Sequence, residues 1–282
     1  MSRILRACAK INLYLDITGR REDGYHLLET VMQSISLCDT VEIGFAAGDD
    51  ILLHCDAPNI PSDERNIAYK AARRYLDEAG ISACVMIDIK KRIPSGAGMG
   101  GGSADAAAVL SEMERHFGKL GNERLMSLAA EIGADVPFCI AGGTRICRGI
   151  GEEMSEILPV KDKWYLVVMP DFTCPTGAAF ARYDDSPLPA RNALSEFVSA
   201  LETGAFADRM YNTFEVLYSD SRIERIKNDL LSAGAEGALL TGSGAAVFGV
   251  FSDEDSAAQA AERFKEYFTS VCRPTEKSII IE

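Results

Sequence analysis

Hydrophobic and polar positions alternate along the first 60 residues at the spacing typical of β-strands. In "KINLYLDI", the residues Ile11, Leu13, Leu15 and Ile17 would share one face of a strand. The polar turn "GRREDG" follows, and "YHLLETVMQSISL", "DTVEIGFA" and "DDILLHCD" continue the strand pattern between short breaks. The pattern therefore predicts a strand-rich beginning.

The spacing then changes to that of a helix. Apolar residues recur every three or four positions until Gly80, which predicts a helix over residues 66–79. "ACVMIDIKKRI" predicts a strand that runs into a glycine-rich stretch. Two further helices are predicted, over residues 103–118 and 122–132.

A polar, proline-containing segment, "GEEMSEILPVKDK", separates these elements from a second set. We predict a domain boundary there, with domains at residues 1–157 and 158–282. The second set comprises a strand at "WYLVVMP", helices around residues 178–183, 193–201 and 222–233, a strand–turn–strand unit at "GALLTGSGAAVFGVF", an amphipathic helix over residues 254–268 and a closing strand at "KSIIIE". The predicted fold class is α+β.

Five glycines stand among the seven residues from Gly96 to Gly102, directly before an alanine-rich run that favours helix. Each glycine in an ordered element costs roughly 0.5–1 kcal/mol relative to alanine, so the stretch requires a physical reason. A strand, a glycine-rich loop and a helix N-terminus together form an anion site, because backbone N–H groups and the helix dipole favour negative charge. The stretch therefore predicts a phosphate-binding loop. A turn that only packs closely against a helix is the alternative.

Two common nucleotide-binding patterns do not fit this loop. The pattern GxxxxGK[ST] fails because no lysine follows the glycines. "GAGMGG" satisfies GxGxxG, but a dinucleotide site requires an acidic residue at the end of a second strand about 20 residues later. That distance falls in "GKLGNERL", which is predicted to be a turn between helices. A dinucleotide-dependent dehydrogenase is therefore disfavoured.

Charge and cysteine content disfavour several other classes of protein. A formal net charge of −13 argues against nucleic-acid binding, so any positive charge for an anionic ligand has to be local. The eight cysteines form no CxxC pair, and we expect reduced, mostly buried thiols rather than a zinc or disulfide framework. The N-terminus has no signal-peptide h-region, and no run approaches the roughly 18 apolar residues of a membrane span. We expect a cytoplasmic protein that binds no membrane.

"PSGAGMGGGSADAA" resembles the phosphate-binding motif of the GHMP kinase superfamily. "ACAKINLYLDI" and "LLTGSGAAVFGVF" resemble two further signatures of that superfamily, in the same order along the chain. The resemblance covers nearly the whole chain and implies a two-domain fold with the active site in the cleft between the domains. It also implies transfer of a phosphoryl group from ATP, with Mg²⁺, to an alcohol.

Some members of the superfamily match in more detail. Five stretches carry that resemblance: "AKINLYLDITGRREDGYHLLETVMQSISLCDTV", "RNIAYKAAR", "KKRIPSGAGMGGGSADAA", "GADVPF" and "TGSGAAVF". These members phosphorylate a hydroxyl of a cytidine-diphosphate-linked sugar alcohol in the methylerythritol phosphate route to isoprenoid precursors. The implied partners are that small molecule and ATP, bound by a monomer or homodimer. The alternatives are a kinase for mevalonate or homoserine, a decarboxylase of the same fold, and a non-catalytic nucleotide-binding relative.

The resemblance assigns the reacting pair to Lys10 and Asp135. From the pattern alone, Lys10 is equally a surface lysine on a strand, and Asp135 is equally a turn former beside Pro137. In the superfamily, the matching lysine stabilises the transferring phosphoryl group, and the matching aspartate accepts the proton of the attacking hydroxyl. Both residues are retained, which argues against a non-catalytic relative.

The resemblance also assigns ATP contacts in and beside the glycine loop. These positions are Pro94, Ser95, Gly96, Ala97, Gly98, Met99, Gly100, Gly101, Gly102, Ser103, Ala104, Asn66 and Lys91. Ser103 would contact phosphate or magnesium, although as a helix cap it needs no ligand. Asp105 stands where many relatives have asparagine, and a carboxylate beside a triphosphate would be repulsive unless it turns away or meets magnesium. The magnesium ligands stay unassigned.

Substrate contacts are assigned to residues from both halves of the chain. These positions are Asn12, Tyr25, His26, Thr176, Phe180, Thr241 and Gly242. Phe180 follows Thr176 by one helical turn and would face Tyr25 across the cleft, so that two aromatic rings could hold a pyrimidine. The alternative is that Phe180 belongs to the core, as phenylalanines on helices commonly do.

Overall fold

Two β-sheets form the centre of the protein in the computed structural model, which describes residues 2–160, 162–218 and 220–282. The strands are β1 (Arg3–Arg20), β2 (His26–Ala46), β3 (Ile51–Cys55), β4 (Cys84–Lys90), β5 (Thr144–Gly149), β6 (Glu153–Glu156), β7 (Trp164–Met169), β8 (Tyr211–Asn212), β9 (Gly237–Leu240), β10 (Val247–Phe251), β11 (Phe268–Cys272) and β12 (Ile279–Ile281). The helices are α1 (Ile67–Ala79), α2 (Gly101–Phe117), α3 (Gly121–Ile132), α4 (Val136–Ala141), α5 (Thr176–Asp185), α6 (Leu194–Thr203), α7 (Thr213–Tyr218), α8 (Ser221–Ser232) and α9 (Glu254–Ala261).

The larger sheet is built around the long hairpin of β1 and β2. These strands pair antiparallel from Arg3 opposite Ile43 to Arg20 opposite His26, so two predicted strands are in fact one continuous strand, β2. Within the described residues, the sheet has the order β12-β1-β2-β4-β3; β5 pairs with β2, β6 pairs with β5, and β8 pairs parallel to β1. Helices α1 and α2 contribute many of the residues in the core cluster that covers this sheet.

The smaller sheet has the antiparallel order β11-β7-β10-β9. Its strand β7 is buried on both faces. Tyr165 and Val167 join a core cluster shared with β1, whereas Leu166 and Val168 join a cluster shared with α8 and α9. The alternation of side chains along a strand sends successive residues to opposite faces, so this sheet is a middle layer between two cores.

Strand β1 departs from the predicted one-faced pattern. Ile11 and Leu13 are buried as predicted, but Asn12 and Asp16 between the apolar positions are also at most 1% exposed. A register shift lies between Asn12 and Tyr14, and such a bulge turns the later residues towards a different neighbour. The burial of these polar residues indicates that β1 has a role besides packing in the core.

The sheets do not follow the predicted domain boundary. β8 and β12 belong to the second half of the sequence, yet both pair with β1 in the larger sheet. The boundary after residue 157 stays a prediction, and the second half of the chain contributes two strands to the first half's sheet.

One sequence prediction differs from the structure near residue 264. The helix predicted over residues 254–268 ends at Ala261 and continues as a short 3₁₀ turn, Glu262–Phe264. Strand β11 follows and pairs with β7 from Phe268 opposite Met169 to Cys272 opposite Tyr165. A non-local pairing of this kind overrides a local helical pattern.

The expectation of unpaired thiols is wrong for one pair of cysteines. Cys8 and Cys38 stand directly opposite each other on β1 and β2 and form a disulfide. The other six cysteines are free, and four of them are buried, as expected. In the described ranges, no helix is long and apolar enough to cross a membrane.

Candidate active site

A cavity of about 800 Å³ lies where β1, the glycine loop, α4 and α5 meet. Most of the predicted site residues line it, including Lys10, Asp135 and the loop from Pro94 to Ser103. Two do not: Ala104 and Thr241 are fully buried behind the cavity wall. The sequence predictions from distant parts of the chain therefore converge on one place.

Lys10 and Asp135 form an ion pair inside this cavity. Lys10 Nζ lies 3.5 Å from Asp135 Oδ2, and the exposed fractions of the two side chains are 5% and 31%. Asp135 directly precedes α4, yet its carboxylate makes no capping bond to that helix. The turn-forming role considered for Asp135 therefore does not explain its side chain. The carboxylate is instead held by one cation and turned towards solvent in the cavity.

Asn12 holds Lys10 in position from two residues further along the same strand, β1. Lys10 Nζ donates to Asn12 Oδ1 at 2.8 Å, and Asn12 Nδ2 donates to Thr30 Oγ1 at 2.9 Å. The backbone N–H of Asn12 donates to Thr241 Oγ1 at 3.0 Å. Asn12 borders the cavity, but its side chain is already committed on both sides. The role that the structure adds to it is orientation of the lysine.

The glycine loop is packed against the protein's own backbone on one side. A Cβ on Gly98 would lie 2.2 Å from the carbonyl oxygen of Thr241. The backbone N–H groups of Ala245 and Ala246 donate to the carbonyl oxygens of Gly96 and Ala97. Close packing therefore explains part of the glycine requirement, and it joins the loop to the "TGSGAA" turn of the second half.

The glycines nearest the helix lie against side chains rather than against backbone. A Cβ on Gly100 would lie 3.3 Å from Lys10 Cγ, and one on Gly101 would lie 3.0 Å from Ile93 Cγ2. Gly96, Gly98 and Gly100 also have φ between 68° and 73°, where other residues are strained. The loop needs glycine for its conformation and for close approach.

Helix α2 begins at Gly101, two residues before the predicted start, and its first turn points into the cavity. Its N-cap residue is Gly100, and no side chain caps its first amides. Gly101, Gly102 and Ser103 line the cavity at this end. Uncapped amides and the positive end of the helix dipole favour an anion there. This arrangement is what the phosphate-loop prediction requires.

Lys91 lies at the base of the loop between two buried carboxylates. Its Nζ donates to Asp39 Oδ2 and, at 2.6 Å, to Asp105 Oδ2. Asp105 is 4% exposed, and burial raises its pKa to about 7 against the opposing effect of Lys91. Asp105 borders the cavity, and its carboxylate is held by Lys91 at the base of the loop.

Asn66 borders the cavity and makes one hydrogen bond from each end of its side-chain amide. Its Oδ1 accepts from the backbone N–H of Ala68 at 2.9 Å and caps α1, while its Nδ2 donates to Pro61 O at 2.8 Å. The predicted ATP contact at this position stays a prediction. What the structure gives Asn66 is a fixed orientation at the cavity edge.

The substrate-side residues form an aromatic group at the other end of the cavity. The rings of His26 and Phe180 are stacked, with centroids 4.6 Å apart and planes 18° apart. His26 Nε2 lies 2.7 Å from Asp184 Oδ1, and Tyr25 is 60% exposed beside this group. One face of Phe180 is therefore covered by His26. A pyrimidine would use the other face or displace the imidazole.

The family models of the two GHMP kinase domains match both halves of the chain. The N terminal domain matches residues 66–143 and the C terminal domain matches residues 190–270, together more than half of the 282 residues. The chain belongs to the GHMP kinase family. The predicted α+β fold of this family is thereby confirmed.

Similar proteins cover almost the whole of this GHMP kinase. A 4-diphosphocytidyl-2-C-methyl-D-erythritol kinase of Clostridium botulinum is 40% identical over 95% of this chain and 97% of its own length. The kinase of the same name from Caldicellulosiruptor bescii is 39% identical over 96% and 97%. A crystal structure of 4-(cytidine 5'-diphospho)-2C-methyl-D-erythritol kinase is 32% identical, with a TM-score of 0.79 over 96% of this chain and 99% of that chain. The protein is therefore a small-molecule kinase of a family that uses ATP.

Two contributors to the GHMP kinase site, Asp39 and Asp184, were absent from the sequence predictions, and a third, Ser243, was predicted only as part of the "TGSG" turn. Asp39 lies beneath the loop, Asp184 holds His26, and Ser243 Oγ lies 3.0 Å from Thr176 Oγ1. Asp39 and Asp184 have no distinctive sequence context, because their partners are 52 and 158 residues away. Ser243 stands inside the "TGSG" turn, and that turn was the available signal.

Proposed function

We propose that this kinase transfers the γ-phosphoryl group of ATP to the 2-hydroxyl of 4-diphosphocytidyl-2-C-methyl-D-erythritol, in the methylerythritol phosphate pathway of isoprenoid synthesis. The observation that carries the proposal is the Lys10–Asp135 pair at the opening of the glycine loop. The names of the relatives support the choice of substrate. We further propose that the enzyme acts in the cytoplasm as a monomer or homodimer.

The Lys10–Asp135 pair suits an attack by an alcohol on a phosphoryl group. The oxygen of the substrate hydroxyl forms the new bond to phosphorus while Asp135 accepts the hydroxyl proton. The bond from phosphorus to the ADP oxygen breaks in the same step. Lys10 stays protonated and offsets the negative charge that develops on the transferring group. Asn12 fixes the lysine during this step through its bond to Nζ. Catalysis is then mainly positioning and electrostatics.

The donor set at the loop fits a magnesium nucleotide. The uncapped first turn of α2 supplies backbone N–H groups for phosphate oxygens, and Ser103 and Asp135 supply oxygens at the cavity wall. In the described ranges, no group of three or more His, Cys, Asp or Glu side chains forms a metal site. Mg²⁺ is commonly held by one or two protein oxygens together with substrate phosphates, so the proposed ion needs no larger cluster.

The cytidine end of the substrate is proposed to bind beside Phe180. This ring is half-buried and meets Phe214 edge-to-face at 5.1 Å, while its stacked neighbour His26 comes from the first half of the chain. Tyr25 remains exposed next to them. The group therefore offers flat aromatic surface in the same cavity as the glycine loop.

We expect Phe180→Leu to weaken the cytidyl substrate by about tenfold or more while the melting temperature and the ATP affinity hardly change. Stacking of a base on an aromatic ring contributes roughly 1–3 kcal/mol, and tenfold corresponds to about 1.4 kcal/mol. Substrate binding is measured by calorimetry and stability by thermal unfolding. The control is Phe197→Leu, a phenylalanine buried away from the cavity, which should lower the melting temperature only. The opposite pattern for Phe180→Leu would assign this residue to the core.

A panel of alcohols tests the function itself. ADP release is followed with ATP and, separately, the cytidyl substrate, mevalonate, homoserine and galactose. We expect turnover with the cytidyl compound and at most traces with the others. Preferred turnover of mevalonate or homoserine would replace the proposed substrate while leaving the kinase assignment in place.

A further inference from the structure

The base of the glycine loop is closed by the side chain of Lys91. This residue follows β4 and begins the loop, while Asp105 lies in the second turn of α2, after the loop has ended. The 2.6 Å bond from Lys91 Nζ to Asp105 Oδ2 therefore joins the two ends of the segment that carries the glycines. The side chains of the three partners Lys91, Asp39 and Asp105 are at most 8% exposed.

Asp39 fixes the same point from the sheet. Its Oδ1 accepts from the backbone N–H groups of Arg92 at 2.6 Å and Ile93 at 2.8 Å, and its Oδ2 accepts from Lys91 Nζ. One carboxylate on β2 thus holds both the backbone and the ammonium group at the loop's start. A loop with both ends fixed loses less conformational entropy when its amides close on an anion.

The charge of this cluster does not favour direct contact with phosphate. Two carboxylates and one ammonium group sum to −1, or to zero when Asp105 binds a proton. Burial raises the pKa of Asp105 and so favours its protonated form more than in an exposed carboxyl group. In neither state does the cluster offer net positive charge to a triphosphate. Lys91 borders the cavity, but its charge is already compensated inside the protein.

Gly101, the first residue of α2, lies next to this cluster. A Cβ on Gly101 would lie 3.4 Å from Lys91 Nζ and 3.0 Å from Ile93 Cγ2. The first residue of α2 therefore packs tightly against the side chain of Ile93, whose backbone N–H donates to Asp39, and comes within van der Waals distance of the ammonium group. A larger residue at this position would press on the side chain next to the cluster.

We propose that Lys91, with Asp39 and Asp105, is a positioning residue that holds the phosphate loop in its binding conformation and is not a ligand of ATP. The proposal rests on the proposed use of ATP at this loop. It assigns the three charges to the loop's geometry before any nucleotide arrives, so their loss should be detectable in the free protein.

Hydrogen exchange of the ligand-free enzyme tests this directly. Lys91→Met should raise exchange at the loop amides of residues 95–102 by about tenfold or more, with β7 (Trp164–Met169) unchanged. In steady-state assays, KM for ATP should rise about tenfold, whereas kcat at saturating ATP should change less than threefold. Lys91→Arg, which keeps the charge, should recover part of both effects. Lys163→Met is the matched control, because Lys163 pairs with Glu236 at 2.6 Å in the second half of the chain and should change neither quantity.

The double variant Lys91→Met with Asp105→Asn separates the possible roles. Lys91→Met alone leaves two buried carboxylates without their cationic partner. Removal of one of these charges should therefore restore folding, and it should lower KM for ATP at least threefold relative to Lys91→Met. The double variant also remains usable if Lys91→Met does not fold, and its loop exchange should still exceed that of the wild type. A raised KM for ATP with wild-type loop exchange would identify Lys91 as a direct phosphate ligand and overturn the proposal. Wild-type values of both KM and loop exchange would also overturn it. A wild-type enzyme that phosphorylates no alcohol would instead refute the proposed function, while the exchange result stands independently.

Discussion

Asp135→Asn lowers kcat by roughly 10²–10⁴-fold and leaves ATP affinity nearly unchanged, the expected result of removing a general base. The amide keeps the shape of the carboxylate but accepts no proton from the substrate hydroxyl. Lys10 then lies 3.5 Å from a neutral group and loses its only close anionic partner among the described residues. The loop amides that receive the phosphates are untouched. Steady-state kinetics with the cytidyl substrate, together with ATP binding by calorimetry, measure both quantities.

Asp220→Asn is a suitable control for this experiment. Asp220 caps α8 and pairs with Arg222, and it does not line the cavity. Its replacement should lower stability slightly and leave kcat unchanged. If the Asp135→Asn enzyme kept more than half of the wild-type kcat, Asp135 would not be the base.

Gly98→Ala is expected to destabilise the protein by about 2–5 kcal/mol and to raise KM for ATP about tenfold. The new Cβ would lie 2.2 Å from the backbone oxygen of Thr241, and φ at this position is +73°. A left-handed conformation costs a non-glycine residue roughly 1–2 kcal/mol, and forced overpacking adds typically 1–3 kcal/mol. Because the obstacle is backbone, the loop has to move away from the "TGSGAA" turn. Thermal unfolding should show a melting temperature about 5–15 °C lower.

Gly80→Ala separates the two costs in that prediction. Gly80 ends α1 with φ of +62° and has open space where the Cβ would point. It should therefore show the conformational cost alone, with a normal KM for ATP. A Gly98→Ala enzyme that matched this control in both stability and KM would show that the loop and the turn do not depend on each other.

Local patterns predicted the elements that depend on local physics. The helix over residues 66–79 and its end at Gly80 follow from periodicity and from the left-handed conformation that glycine adopts readily. The glycine loop before a helix was likewise predicted from local sequence, and its phosphate-binding role stays a prediction. The sequence resemblance then supplied Lys10 and Asp135, which the structure brings together although they are 125 residues apart.

Non-local partners were the part that the sequence did not reveal. Lys91 was predicted as a nucleotide contact because its position matches one in the GHMP kinase family. Its two carboxylate partners come from β2 and α2, and no local pattern indicates that they converge on it. Cys8 and Cys38 were missed for a similar reason, since only the register of β1 with β2 places them opposite each other.

The pairing of β12 with β1 affects the order in which the chain can fold during its synthesis. Leu5 pairs with Ile281 and Ala7 pairs with Ile279, so β1 cannot complete its pairing until residues 279–281 have left the ribosome. Until then one edge of β1 is open, and unpaired strand edges are sites of aggregation and of chaperone binding. Contacts this far apart in sequence also slow folding, because a long loop has to close first. The site residues Lys10 and Asn12 lie on that same strand, so they reach their final surroundings only after residues far later in the chain have been synthesised.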